Sequence, residues 1–215
     1  MSIGSSAFRG CRGLKSVTIG NSVKSINDYA FKGCIGLTSV TLPDHTTSIG
    51  DEAFAGCPIK VATLPTSAIS NIPKRALETV VITSGTSVPS WAFSGCKSLT
   101  NVTILDGVVE IGRGAFGNCL ALDRVTIGNN VTSIADFVFY GCENLTSLAI
   151  PDSVKSIGYK VFSGCISLTS LTYNGTKEQW KHIEKRPAWR SESHIEVISC
   201  VDGDYSPSSD SAQED

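Results

Sequence analysis

Eight cysteines are the residues of this 215-residue chain best suited to chemistry. Seven of them, Cys11, Cys34, Cys57, Cys96, Cys119, Cys142 and Cys165, share one context, Ala/Val-Phe-x-Gly/Asn-Cys; the eighth is Cys200. An even number invites a disulfide framework, cysteine with histidine invites zinc, and cysteine beside a base invites a nucleophilic thiolate. The spacing disfavours all three. No Cys-x-x-Cys occurs, and His45, His182 and His194 fall outside the cysteine register. The regular step is 23 residues, which sets the cysteines in one column with parallel Cβ vectors, whereas a disulfide needs a dihedral near ~90°. They read as core thiols, each behaving as a small apolar side chain. Gly-x-Ser-x-Gly, P-loop and Gly-x-Gly-x-x-Gly motifs are lacking. The chain therefore reads as non-enzymatic, with no catalytic residue, no metal and no cofactor.

The elements that place these cysteines are repeats. A phenylalanine column runs Phe8, Phe31, Phe54, then Phe93, Phe116, Phe139 and Phe162, in steps of 23 apart from one jump of 39. Leu77 is expected to fill that gap, since "IPKRAL" aligns with "IGDEAF". The coil after Leu77 then lacks seven residues, including its Gly-x-x-x-Leu loop and its cysteine. An aliphatic column runs Ile3, Ile26, Ile49, Ile72, Val88, Ile111, Ile134 and Ile157. Short alternating segments such as "SVTIG" and "SVTLP" read as strands, each followed by Gly, Asn, Asp or Pro as a turn requires. Gly10, Gly33, Gly56, Gly95, Gly141 and Gly164 are expected at positive φ, with Asn118 tolerating the same conformation.

One such coil cannot bury its own apolar edges, but stacked coils bury one another's. The expected fold is a leucine-rich-repeat-like solenoid: short parallel β-strands stacked in a right-handed curved coil, with a small helix-strand C-terminal cap. Eight coils at ~4.8 Å give a rod roughly 40 Å long. Along each strand alternate residues face outward, which makes two columns the candidate binding surface. One holds Ser16, Ser39, Asn101, Arg124, Ser147 and Ser170; the other holds Thr18, Thr41, Thr63, Thr103, Thr126 and Thr172. A ladder of short hydroxyls offers hydrogen bonds at low entropic cost, although threonine also simply suits an exposed strand.

Charge narrows the partners. Lys and Arg number 18 against 20 Asp and Glu, and they are scattered, which argues against nucleic acid. No apolar run is long enough for a membrane span. The start, "MSIGSSAF", lacks the pattern of a signal peptide and lies inside a repeat, so the chain reads as a trimmed form or a fragment of a longer one.

"LTSVTLPDHTTSIGDEAFAGC" (Leu37 to Cys57) and "LTSLAIPDSVKSIGYKVFSGC" (Leu145 to Cys165) resemble the repeat of the BspA-like leucine-rich repeat family over residues 1–173. The resemblance implies non-enzymatic binding to a protein or glycan, a cell-surface or secreted location, and adhesion to host or neighbouring-cell macromolecules. A structural spacer within a larger protein and an intracellular interaction scaffold are the alternatives.

Beyond Tyr173 the period stops. Residues 174–201 read as a cap: Thr176 as N-cap with Gln179 in a capping box, Trp180 and Ile183 on one helical face, Pro187 ending the helix, and a strand over "HIEVISC" (194–200). Trp180 and Trp189 read as cap packing. Residues 202–215 are polar and acidic and read as a disordered tail. The first coil has no matching cap and would leave Ile3, Phe8 and Leu14 on an open edge, which implies either further upstream repeats or self-association.

Overall fold

The computed structural model describes residues 1–207. It is a parallel-strand solenoid of about nine turns, one more than the sequence period counts. Each regular turn contributes a strand of three to seven residues to a front ladder and a two-residue strand to a side ladder. The front ladder runs Ser16–Thr18, Ser39–Thr41, Val61–Leu64, Thr79–Ser84, Asn101–Gly107 and Arg124–Thr126. A second sheet continues with Ser147–Ile150, Ser170–Tyr173 and Val197–Cys200. Inward residues Val40, Ala62, Val80, Val102, Leu148 and Leu171 are buried, because alternate side chains of a strand point to opposite faces.

The phenylalanine rings stack along the interior. Centroids lie 5.1 Å apart for Phe8–Phe31 and 5.2 Å for Phe31–Phe54, and 5.4, 5.9 and 5.9 Å between successive members of Phe93, Phe116, Phe139 and Phe162. The turn behind them is held by a backbone ladder between coils: Tyr29, Phe31 and Gly33 donate to the carbonyls of Asp51, Ala53 and Ala55.

The short coil differs from its sequence alignment. Leu77 N donates to Lys74 O, as Leu99 N does to Cys96 O, and Glu78 N donates to Lys60 O. Leu77 therefore stands in a leucine column with Leu37, Leu99 and Leu122, whose amides donate to the carbonyls of Cys34, Cys96 and Cys119, and Lys74 stands in the cysteine column. What is lost is the Ile-Gly-x-x-Ala-Phe arm, and a 3-10 helix over Thr66–Asn71 bridges the deficit. The side ladder breaks there, into Ser2–Ile3, Ser25–Ile26, Ser48–Ile49 and a later group starting at Ser87–Val88. The carbonyl of Ile49, which the missing strand would have used, accepts from the Asn71 side chain instead at 3.2 Å.

The C-terminal region carries the coil one turn further before closing it. Glu184–Lys185 joins the side ladder beside Ser156–Ile157, and Phe162 N donates to Trp189 O at 2.8 Å. The capping box of Thr176 and Gln179 starts a helix of only five residues, Lys177–Lys181, closed at His182 and not at Pro187. The last parallel strand covers Val197–Cys200, not 194–200. Trp180 packs against Tyr173 at 5.2 Å and Trp189 at 5.9 Å, which makes both tryptophans part of the closing core. The disordered tail expected from Asp202 is corrected in its first residues. Gly203–Tyr205 pairs antiparallel with Ile198–Cys200, covering the strand edge that would otherwise be open. The rest of that tail, 208–215, lies outside the described residues.

Candidate protein-contact surface

The thiols are structural. Cys34, Cys57, Cys119, Cys142 and Cys165 each donate to the carbonyl of a phenylalanine 26 residues earlier, at 3.0 to 3.2 Å. Burial raises their pKa, for Cys57 to about 11 and for Cys119 and Cys165 to about 12, so at neutral pH they hold their protons and are poor nucleophiles. All eight cysteines are free; Cys11 is exposed rather than core, because no earlier coil covers it. Among the described residues no group of three His, Cys, Asp or Glu is placed to hold a metal, and no helix is long and apolar enough to cross a membrane.

The outward columns assemble as the period requires, with differences. Ser16 lies beside Ser39 and Thr18 beside Thr41; Asn101 lies beside Arg124 and Thr103 beside Thr126. Ser147 lies beside Ser170, but the partner of Thr172 is Ala149, on one side, and Ser199 on the other. The strand of the short coil inserts Thr79 and Val81 between Val61–Thr63 and Asn101–Thr103. The hydroxyl ladder is thus interrupted by Val61 and Val81. The step from Thr126 to Ser147 also crosses from one sheet to the next.

A second surface was not anticipated. In each regular coil the residue two before the phenylalanine takes a left-handed conformation: Ser6, Tyr29, Glu52, Trp91, Gly114, Phe137 and Lys160, with φ between 51 and 60°. Six of these seven are not glycine, and each non-glycine costs about 1–2 kcal/mol in this conformation. The ladder between coils holds them there, as where Trp91 N donates to Arg113 O at 2.8 Å and Phe137 N to Tyr159 O at 2.9 Å.

The consequence is an aromatic ridge. Trp91 is 51% exposed. The Arg113 guanidinium lies 5.9 Å from the Trp91 ring and 5.1 Å from Phe137, clamped between them. Phe137 meets Tyr159 and Tyr140 edge-on at 5.4 and 5.9 Å, and Lys160 sits 5.5 Å from the Tyr159 ring. Gly114 is the glycine of this column because the Trp91 ring lies across it; a Cβ there would stand 2.1 Å from ring carbons. Next to the ridge is a shallow groove of about 320 Å³ lined by Arg113, Ser133, Ser156, Asp136, Glu184 and Arg186 among others. Asp136 accepts from Arg186 at 2.9 and 3.0 Å and from Tyr159 N at 2.8 Å, which fixes its carboxylate. Exposed Trp, Tyr and Arg on a rigid backbone are the residue types that dominate protein-binding energetics. The sequence signal was partial: Tyr29, Trp91 and Phe137 share one repeat position, three aromatics in a column that also holds Ser6, Glu52, Gly114 and Lys160.

Several solved structures are similar, these three among them. A leucine rich repeat protein of T. pallidum is 31% identical, with 78% of this chain and 71% of that one covered and a TM-score of 0.43. A leucine rich cell surface protein of Faecalibacterium prausnitzii is 28% identical, with 84% and 65% covered and a TM-score of 0.35. The pneumococcal vaccine antigen PcpA is 19% identical, with 87% and 56% covered and a TM-score of 0.52. The chain thus spans 65% and 56% of the lengths of the latter two. No curated protein matches the chain. The family model for the BspA type leucine rich repeat region, with six copies, matches residues 1–83 and 74–184. Sequence repeat, solenoid and family model agree: the chain belongs to the BspA-type leucine-rich repeat family.

Proposed function

We propose that this chain is a non-enzymatic protein-binding module that works at a cell surface or after secretion, in adhesion to host or neighbouring-cell macromolecules. The family supports a repeat module for protein interaction, a fold that is typically non-catalytic. The observation that carries the contact reading is the Trp91–Arg113–Phe137 cluster. The coil ladder fixes the backbone that carries its rings and the Arg113 guanidinium packs against both, so a partner that buries them orders little further chain. The ladder from Ser16 and Thr18 to Ser170 and Thr172 serves in this reading as a flat polar rim that excludes water without anchoring the partner.

The test is a binding screen of the 215-residue chain against immobilised extracellular-matrix proteins, glycans and host-cell surfaces, with Trp91→Ala and Arg113→Ala beside the unaltered protein. The expected result is saturable binding to at least one macromolecule, weakened about 30-fold or more by either substitution, which is ~2 kcal/mol at a hot spot. Binding that both variants retain would move the contact face elsewhere; no binding to any of the panel would remove adhesion.

A further inference from the structure

At the seam between the last regular turn and the C-terminal closure, one core position changes character. The buried position that holds Leu64, Ile82, Ile104 and Ile150 in earlier coils holds Tyr173 here. An aliphatic side chain ends inside the core, whereas a tyrosine carries a hydroxyl beyond it. Tyr173 is 1% exposed and its ring packs against Trp180 at 5.2 Å, yet its hydroxyl makes no hydrogen bond with any described residue. A hydroxyl at such a position needs a partner or an opening to solvent. Tyr173 lines a pocket of about 250 Å³, shared with Asp152, Val154 and Lys155 of the last regular turn and with Glu178, His182 and Ile183 of the closing segment. Burial, and after it the Asp152 carboxylate, raises the Tyr173 pKa. The hydroxyl therefore keeps its proton at neutral pH and stands within reach of the Asp152 charge.

The pocket holds charges of both signs, and one of each is unpaired. Glu178 is engaged by Lys181 at 3.6 Å and lies 3.8 Å from His182, whose Nδ1 is 2.7 Å from the Glu178 carbonyl oxygen. Asp152 and Lys155 have no ion-pair partner among the described residues. They flank a turn closed by the bond from Val154 N to Pro151 O. Val154 and Ile183, both buried, supply the apolar part of the lining.

We propose that this pocket binds a small zwitterion, an aliphatic α-amino acid, with its ammonium on Asp152, its carboxylate on Lys155 and the Tyr173 hydroxyl, and its side chain against Val154 and Ile183. A simple amine would satisfy Asp152 but meet the Lys155 charge, and a simple carboxylate would do the converse. A zwitterion answers both charges and gives the Tyr173 hydroxyl the acceptor it lacks, in a charge-assisted bond. The pocket admits a ligand of few non-hydrogen atoms, so affinity of about millimolar strength is expected. The site shares no residue with the aromatic ridge or its groove and does not rest on the protein-contact reading.

The experiment titrates the 215-residue chain with L-valine, with isobutylamine, which lacks the carboxylate, and with isovalerate, which lacks the ammonium, each followed by amide-resolved NMR. L-valine is expected to bind saturably and to shift the amides of Asp152, Lys155 and Tyr173, and each analogue to bind at least about tenfold more weakly. Tyr173→Phe keeps the fold, because other coils carry an apolar side chain at this position, and is expected to weaken L-valine binding about tenfold with an unchanged urea midpoint. Asp152→Asn and Lys155→Gln, both on the surface turn, are expected to weaken it likewise. No saturable shift with L-valine, an analogue that binds as tightly as L-valine, or binding that Tyr173→Phe leaves unchanged would overturn the proposal. So would saturable shifts confined to residues outside the pocket.

Discussion

The Cys142 thiol donates to the carbonyl of Phe116 at 3.2 Å, across one full coil of the solenoid. The bond ties the inner turn of one repeat to the ring column of the one before, and four more cysteines repeat it. Cys142→Ala removes this donor, leaves the Phe116 carbonyl with the Cys119 amide alone, and leaves a small void. The expected loss is about 1–2 kcal/mol, read as a lower urea midpoint. Cys11→Ala, at an exposed position, is expected to leave the midpoint unchanged.

Thiol labelling should sort the cysteines by place. With a thiol-specific disulfide reagent under native conditions, Cys11 is expected to react first and the partly exposed Cys200 next. The six buried thiols should react only in denaturant, for a total of eight. A total well short of eight in denaturant would mean that disulfides exist.

The same column makes stability depend on alkaline pH. A cysteine thiol in the unfolded chain ionises near 9.0, whereas burial raises Cys57 to about 11 and Cys119 and Cys165 to about 12. Below pH 9 the thiols are protonated in both states and contribute their full stabilisation. Above it the unfolded chain releases protons that the folded chain keeps, so stability falls as pH rises towards 11–12. The decline is about 1.4 kcal/mol per pH unit for each such thiol. Urea midpoints measured from pH 8 to 11 are expected to fall, and to fall less steeply for Cys119→Ala.

Gly114→Ala is expected to destabilise the protein by about 1–2 kcal/mol, since φ is 59° and the new Cβ would meet the Trp91 ring. Displacement of that ring should also shift tryptophan fluorescence. An unchanged spectrum would show that Trp91 does not lie across Gly114.

At the first coil Phe8 is 42% exposed, with Ile3 and Leu14 only partly buried beside it. The 215-residue chain is expected to self-associate reversibly in sedimentation equilibrium, and Phe8→Asp to shift it towards monomer. A monomer at all concentrations would show that this edge does not pair.

Much of the fold was legible in the residues. A column that repeats one residue type every 23 positions forces one local environment on each inner member, so the phenylalanine stack and the thiol column follow from spacing, whereas the hydroxyl ladder is broken where Val61 and Val81 enter it. The capping box of Thr176 and Gln179 was legible for the same local reason. Three features were decided only in the tertiary structure. Leu77 could be aligned by numbering with Phe54, yet the bond from its amide to Lys74 places it in the leucine column. Residues 174–200 have lost the repeat's side chains but keep its backbone, because Glu184–Lys185 and Val197–Cys200 pair with the coil below whatever their side chains are. The left-handed turns at Tyr29, Trp91 and Phe137 are unfavourable for the residues themselves and are imposed by hydrogen bonds to the next coil. Side-chain identity set which faces are buried; bonds between coils, a full repeat apart in sequence, set the backbone path and with it the exposed ridge and the gap.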